Sequence, residues 1–370
     1  MKKKFKNDIL LIHFYYTDEK SFASTRHKDF MNYLGLKKKI VVIGADFHHL
    51  KKNSIQNKSN NFKVLTIRNL KYHNNFFRLL SIIHFCIMLF IKYRSYFKDS
   101  RYLISTSPDL IVSSFTILLS NFYKKKCLLE IRDVWPLSLF TQKNISRINP
   151  FYYIFNYLEK YIYKNSYKIF SNLKFFNLRL KELNIKKTFF YIPDFIYLKK
   201  PPLRNKRKQI NIIFSSIDNK ANNFDVVYSF VKKMSSKIKN IKFYIFLYNS
   251  RRRYKKSFNI VFKYDKSQVY IQNFILKKDI NFGLTAINYS ELYKYGCSPR
   301  KFKLYKEFSI PNINLCLKKD AKHEFWRDSY NLNYLKFNSH LIKKIINFKN
   351  STYKLSNTKI IKKKLDKLFK

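Results

Sequence analysis

The sequence predicts an α/β fold made of two successive parallel-sheet domains, and three observations predict it. Short apolar runs alternate with longer helical patterns along the chain, the order that builds strand–helix–strand units. A break rich in proline and charge falls at Ile192–Arg207, where Pro193, Pro201, Pro202 and the basic cluster Arg204–Lys208 mark an exposed linker. With 370 residues, the chain has room for two ordinary domains, each able to bury a core without metals or disulfides.

In the first half, strands are expected at Asp8–Phe14, Lys39–Ile43, Lys63–Ile67, Leu110–Ser113, Lys126–Ile131 and Lys168–Ser171. Helical patterns cover Phe22–Leu34, Phe76–Tyr93, Phe115–Phe122 and Phe151–Tyr163. After the break the alternation restarts. Strands are expected at Ile210–Ser215, Ile241–Tyr248, Asn259–Phe262, Asn281–Ala286 and Asn312–Leu317, with helices at Phe224–Met234 and after Pro299. The expected boundaries are a first domain over 1–195, a second over 196–335, and a basic helical tail over 336–370. Ligands of such sheets bind at the carboxyl ends of the strands, so two domains joined by one linker suggest a cleft enzyme.

Lysine and arginine total 76 against 22 acids, a formal net charge of +54. The abundance of Lys, Asn, Ile, Phe and Tyr beside only 4 glycines is the signature of an AT-rich genome, so many lysines are read as default solvated residues. A surface this basic nonetheless favours an anionic membrane leaflet. Nucleic-acid binding is the competing use of such charge. It is disfavoured because the lysines form no single tract and the aromatics fall on apolar faces. Cys86, Cys127, Cys297 and Cys316 lie far apart without a CxxC pair, and the histidines show no HExxH spacing, so neither a zinc site nor a disulfide framework is expected. Reduced cytosolic thiols fit this pattern. The run Ile9–Tyr16 is short, holds His13 and precedes no small-residue cleavage site, so it reads as a buried strand and not as a signal peptide. The apolar stretch Leu79–Tyr93 falls short of the ~20 residues a spanning helix needs. It is expected to be a buried or interfacial helix, with burial preferred.

Two segments carry the chemistry. Ser107–Ser114 is followed by Glu130-Ile131-Arg132-Asp133-Val134-Trp135-Pro136-Leu137-Ser138, in which a buried strand delivers an Arg-Asp pair to its carboxyl end. That pair either faces a ligand or staples a loop. In the second segment, Leu292–Tyr305, Ser298 is a good helix N-cap and Pro299 suits the first helical position. Arg300 and Lys301 add cations where the helix dipole is already positive, which makes a ready pyrophosphate site.

These segments resemble family 4 glycosyltransferases, in particular the subgroup similar to the fucosamine transferases of bacterial O-antigen and capsule synthesis. "EIRDVWPLS" after "SPDLIVSS" is similar to the subgroup's acceptor domain. So are Leu158–Tyr163, Ile169–Asn172 and the junction Tyr191-Ile192-Pro193-Asp194. Gly296-Cys297-Ser298-Pro299-Arg300-Lys301-Phe302 is similar to the opening of its donor-binding helix, with Pro311 at the exit. The resemblance runs from Asp8 to Leu317. It implies a GT-B fold, two Rossmann-like domains facing each other across a cleft. It also implies a nucleotide-sugar donor, retention of anomeric configuration, and no metal or other cofactor. A lipid-linked saccharide acceptor on the cytoplasmic face of the membrane would follow, in surface polysaccharide or lipopolysaccharide biosynthesis, with the protein peripheral to that face.

Carried over residue by residue, Asp133 orients the sugar or acceptor hydroxyl with Arg132 in support. Lys220, in the loop Ser215–Asn223, is the candidate phosphate lysine, and Ser298, Arg300 and Lys301 open the donor helix. The broader family grips the nucleotide ribose with a glutamate where this chain has Leu304, which cannot accept a hydroxyl hydrogen bond. Glu307, three residues on, is the candidate substitute, and Leu304→Glu is expected to raise donor affinity. A non-catalytic homologue acting as a membrane-surface partner is the alternative that Leu304 motivates.

Overall fold

A computed structural model describes residues 5–17, 26–48, 53–54, 59–72, 74–143, 146, 148–199, 209–217, 223–248, 250, 252–254, 257–286, 291–296, 299–316, 329–333 and 358–369. The chain separates into two compact units. The first runs through Phe195 and takes back the C-terminal segment from Lys359, and the second begins at Ile196.

The first unit is a seven-stranded parallel sheet. In chain order its elements are β1 (Asn7–Ile12), α1 (Arg26–Gly35), β2 (Ile40–Ala45), a small ribbon of β3 (Phe47–His48) and β4 (Asn53–Ser54), β5 (Lys63–Ile67) and α2 (Asn75–Asp99). There follow β6 (Ser100–Thr106), α3 (Leu110–Phe122), β7 (Lys126–Ile131), α4 (Leu137–Lys143), α5 (Pro150–Asn165), β8 (Lys168–Ser171), α6 (Asn177–Glu182) and β9 (Phe189–Tyr191). The spatial order is β5-β2-β1-β6-β7-β8-β9. Ile9 of β1 stands beside Ile40 of β2 on one side and Tyr102 of β6 on the other. The central strands β1, β2 and β7 are apolar almost throughout because helices cover both faces of the sheet.

The expected strand at Leu110–Ser113 is instead the first turn of α3, and the strand is β6, which the sequence reading did not place. Leu110 to Leu119 is apolar on every side, so its period cannot separate strand from helix. The local signal is Asp109, whose carboxylate accepts the N–H of Val112 at 3.1 Å as a helix N-cap.

The stretch Leu79–Tyr93 lies in α2, a helix of 25 residues. Its inner stripe, including Ser81, Phe85 and Leu89, is buried. Ser81 and His84 hydrogen-bond Asn69 there, each at 2.8 Å. The outer stripe is apolar and exposed, with Phe76 at 65% and Ile87 at 50%, so the preferred expectation of a buried helix is corrected. The helix is long and apolar enough to cross a membrane by length and composition, but its packed, hydrogen-bonded inner stripe ties it to the sheet.

The second unit contains β10 (Ile210–Ile217), α7 (Phe224–Lys237), β11 (Ile241–Tyr248), β12 (Ile260–Tyr264), α8 (Gln268–Lys277), β13 (Phe282–Ala286), α9 (Arg300–Glu307), β14 (Asn312–Cys316) and β15 (Ser329–Asn333). A 3-10 turn at Glu291–Tyr295 precedes α9. The parallel sheet runs β12-β11-β10-β13-β14-β15. Alternation along β10 divides the core: Ile212 and Phe214 pack with α7, while Ile213 packs with Ile275 of α8 and with Leu304 and Tyr305 of α9. Helix α8 was not expected from the sequence. It starts at Ser267, whose hydroxyl accepts the N–H of Tyr270 at 3.2 Å.

Within the expected basic helical tail over 336–370, the described part is the last helix, α10 (Thr358–Leu368), and it belongs to the first unit. Residues 334–357 lie outside the described residues. Ile361, Leu365 and Leu368 form an apolar stripe among lysines that needs a partner, and they join the core of the first unit with Ile9, Leu11 and Phe30. Lys364 donates to the Tyr191 carbonyl at 2.8 Å, and the Tyr102 hydroxyl donates to the Phe369 carbonyl at 2.8 Å.

Candidate active site

Each sheet has one point where strand order reverses. In the first unit it lies between β1 and β6, and in the second between β10 and β13. Strand carboxyl ends at such a switch leave a crevice that helices do not fill.

At the first switch the chain assembles a buried charge cluster around Glu130, the one acid of the otherwise apolar strand end Cys127–Ile131. Glu130 is fully buried. The Arg26 Nε donates to its Oε1 at 2.5 Å, His27 Nε2 lies against its Oε2, and the Thr106 hydroxyl donates to Oε2 at 3.2 Å. Arg26 reaches further, with Nη1 to Asp194 Oδ1 at 2.8 Å and Nη2 to the Ile192 carbonyl at 2.7 Å. The Ile192-Pro193-Asp194 junction is therefore tied to the first turn of α1. The cations hold the Glu130 carboxyl well below the usual range although burial opposes this.

Arg132 and Asp133 sit at the same end of β7, yet neither is engaged as a pair. Arg132 makes no ion pair among the described residues, and its Nε is buried without a partner. Asp133 uses one carboxylate oxygen to accept the N–H of Val134 at 2.9 Å, and its carbonyl accepts the Ser107 hydroxyl at 3.0 Å. Burial raises its carboxyl above the ordinary value. The carboxylate thus holds the turn entering α4, while the Arg132 guanidinium keeps donor capacity for another group. Glu159, in the segment similar to the family's helix, is structural: Arg179 clasps it with two bonds of 2.9 and 2.7 Å.

His13 follows β1, buried, with its ring centroid 4.2 Å from that of His27. Burial, with His27 and Arg132 adding to it, lowers His13 well below the usual imidazole value, and burial also lowers His27. Both are neutral near pH 7 in the folded state, whereas in the unfolded chain they take up protons below about pH 6.5. Unfolding therefore binds protons in that window, and stability falls as the pH falls. Thermal melts are expected to drop between about pH 7 and pH 5.5, and a His13→Gln/His27→Gln variant to show a flatter profile. Asp109 and Asp133, raised by burial, titrate with the opposite sign, so the paired variant isolates the imidazoles. A wild-type profile that is flat or rises on acidification would contradict the assignment.

At the second switch, α9 starts beside the end of β10. Pro299 occupies the N-cap and not the first helical position, and its own side chain makes no capping hydrogen bond. Lys301 Nζ donates to the Ser216 hydroxyl at 3.2 Å and lies 5.1 Å from the centroid of the Phe214 ring. The helix is seated by Tyr305, whose hydroxyl bonds the carbonyls of Ile213 and Leu284, each at 3.2 Å. Its ring lies on Gly283, where an added Cβ would come within 2.3 Å of it. Gly296, before the helix, has φ 103°, a left-handed conformation that favours glycine. Two of the chain's 4 glycines thus serve this helix.

Lys220 and Ser298 lie outside the described residues, and for Arg300 the structure describes only a backbone place at the start of α9. Lys301 is at the switch. Glu307 is not. It is the last residue of α9, buried, 3.8 Å from Lys303, and its carbonyl accepts the N–H of Lys199 at 2.7 Å. Seven residues at ~1.5 Å rise put it roughly 10 Å along the axis from the helix start. Leu304 points into the core with Ile213, Tyr305 and Phe308. Arg26, His27, His13 and the anchoring role of Glu130 were not expected from the sequence. An acid inside an apolar strand was the available signal, because a buried carboxylate needs a partner. Among the described residues, no group of three His, Cys, Asp or Glu could hold a metal ion.

No protein-family model matches the chain, and no curated protein matches it. Solved structures do resemble it. The Anabaena protein HepE, in complex with UDP and glucose, has a TM-score of 0.61 at 8% identity, over 97% of this chain and 95% of that one. A UDP-forming α,α-trehalose-phosphate synthase from Burkholderia xenovorans has a TM-score of 0.59 at 8% identity, over 98% and 94%. The glycotransferase of kitacinnamycin has a TM-score of 0.51 at 6% identity, over 98% and 94%. The likeness is one of fold: this chain has a GT-B fold of two Rossmann-like domains.

Proposed function

We propose that the protein is a glycosyltransferase that moves a sugar from a nucleotide-sugar donor to a saccharide acceptor. The observation that carries this reading is the convergence of Lys301, the start of α9 and the Ser216 end of β10 at the switch point of the second sheet. A helix N-terminus and an adjacent cation suit a diphosphate. In the proposed reaction they stabilise the charge that builds on the departing nucleoside diphosphate, with Arg300 and Lys220 assisting. The anomeric configuration is retained, and no metal or other cofactor takes part. The first unit positions the acceptor: Asp133 and Arg132 lie at the carboxyl end of β7, beside the switch strand β6, and holding a hydroxyl near the anomeric carbon supplies much of the rate. A lipid-linked acceptor at the inner membrane face, in bacterial O-antigen, capsule or lipopolysaccharide synthesis by a family 4 enzyme, is the fuller form of the proposal. A hexosyl or N-acetylaminosugar group would be the one transferred.

Calorimetric titration with UDP, GDP and CMP, with ATP as the control, tests the donor site. One nucleotide is expected to bind with saturable heat that persists in moderate salt. Lys301→Ala should weaken it about tenfold or more, as for a lost charge-assisted hydrogen bond. Equal, weak binding of all four that fades with salt would instead favour a non-catalytic homologue acting as a membrane-surface partner. The burial of Leu304, where the broader family carries its ribose glutamate, is the observation on that side.

A further inference from the structure

Helix α2 is apolar on the side where a surface helix is ordinarily polar. Phe76, Leu80, Ile83, Ile87 and Phe90 follow one another at spacings of three and four, and all are exposed. The chain continues the patch on neighbouring helices. The β5-to-β6, β6-to-β7 and β7-to-β8 crossovers all advance in one direction across the sheet, so right-handed connection puts α2, α3 and α5 on the same face. α3 touches both of the others. Leu118 and Phe122 of α3 are exposed, as are Ile154 and Tyr157 of α5. Exposed apolar side chains on three neighbouring helices mark an interaction surface.

Charge selects the occupant. Lys92, Arg94 and Lys98 follow the apolar stripe on α2, Lys124 and Lys126 follow α3, and Lys160 and Lys164 end α5, all exposed. These three helices contain two acids, Asp99 and Glu159, and both are ion-paired. A second copy of this chain on the same face would bring like charges together, whereas anionic lipid neutralises them. The lysines gather towards the helix C-termini, and each helix runs against the parallel strands. On α2 the apolar stripe, Phe76–Phe90, lies nearer the strand carboxyl edge, where Arg132 and Asp133 stand. With its inner stripe packed on the sheet, α2 has only its outer face to offer a lipid surface.

We infer that the outer face of α2, with α3 and α5, is the surface by which this protein docks on an anionic lipid bilayer, apolar side chains entering the acyl boundary and lysines contacting headgroups. This deepens the proposed membrane-surface reading and rests on it for its biological context, though lipid binding itself requires neither donor nor acceptor.

Flotation of the full chain with vesicles tests it, comparing phosphatidylcholine mixed with phosphatidylglycerol against phosphatidylcholine alone, at low and raised salt. The wild type should float with the mixed vesicles and be only partly released by salt. Ile83→Glu/Ile87→Glu and, separately, Leu118→Glu/Phe122→Glu should each lower the bound-to-free ratio about tenfold or more. Phe258→Glu, an exposed apolar site in the second unit (89% exposed), should leave it unchanged. Thermal melting and the nucleotide titration check that the variants are folded, and a chain that binds no nucleotide but still floats would refute only the donor-site reading. Wild-type failure to float overturns the inference. So does undiminished flotation of both double variants, and so does a dimer that these substitutions dissolve while flotation is unaffected.

Discussion

Glu130→Ala is expected to cost about 3–5 kcal/mol of unfolding free energy, the range for removing one partner of a buried ion pair. The carboxylate lies at the centre of the first unit's cluster, fully buried and bonded to Arg26, His27 and Thr106. Its removal takes from the buried Arg26 one of its two carboxylate partners, leaving Asp194, and takes from Arg132 one of the negative charges around it. Urea denaturation measures the loss. Arg26→Ala should cost a similar amount, and the double variant much less than the sum, because the two residues share one network. Additive losses would mean that Glu130 acts only through packing. Asp194→Ala is expected to cost less than either, since that side chain is 15% exposed and water can take its place.

Leu304→Glu is the second large effect, and its sign is opposite to that expected from family resemblance alone. There, restoring a glutamate should raise donor affinity. In the structure Leu304 packs among Ile213, Tyr305, Phe308 and Ile310 on the inner side of α9. A carboxylate placed there must stay charged in an apolar environment or take up a proton at a raised pKa. A loss of about 3 kcal/mol or more is expected, seen as a lower thermal midpoint, with no gain in nucleotide affinity. Tighter nucleotide binding at an unchanged midpoint would show that position 304 faces the donor and that the helix turns differently from the arrangement described. Leu304→Met, which keeps the volume and adds no charge, should cost less than about 1.5 kcal/mol.

Some of the site was legible before the structure because its signals are local. The carboxyl end of β7 could be read from an apolar run broken by Arg132-Asp133 and Trp135-Pro136. The start of α9 could be read from Gly296 and Pro299, although the cap falls on Pro299 itself. What those ends touch could not be read. Arg26 and Glu130 are separated by 104 positions, and nothing in either neighbourhood specifies the other. Leu304 and Glu307 differ by three residues on one short helix. Which of them meets the core depends on how Tyr305 seats that helix over Gly283, a contact between segments that periodicity does not encode.

By itself the sequence determined that this chain alternates strand and helix in two Rossmann-like domains, with cationic and polar residues at strand ends and at one helix start. That much follows from apolar period, caps and turn residues, each a property of a few consecutive positions. Only the tertiary structure decided that the last helix returns to the first unit and that Glu130 is the hub of a buried charge cluster. It also decided that α2 keeps an apolar face outward. The physical reason is the same in each case. An apolar stripe or a buried charge demands a partner, but the demand does not name one. The partner is chosen by which distant segments the sheet order brings together.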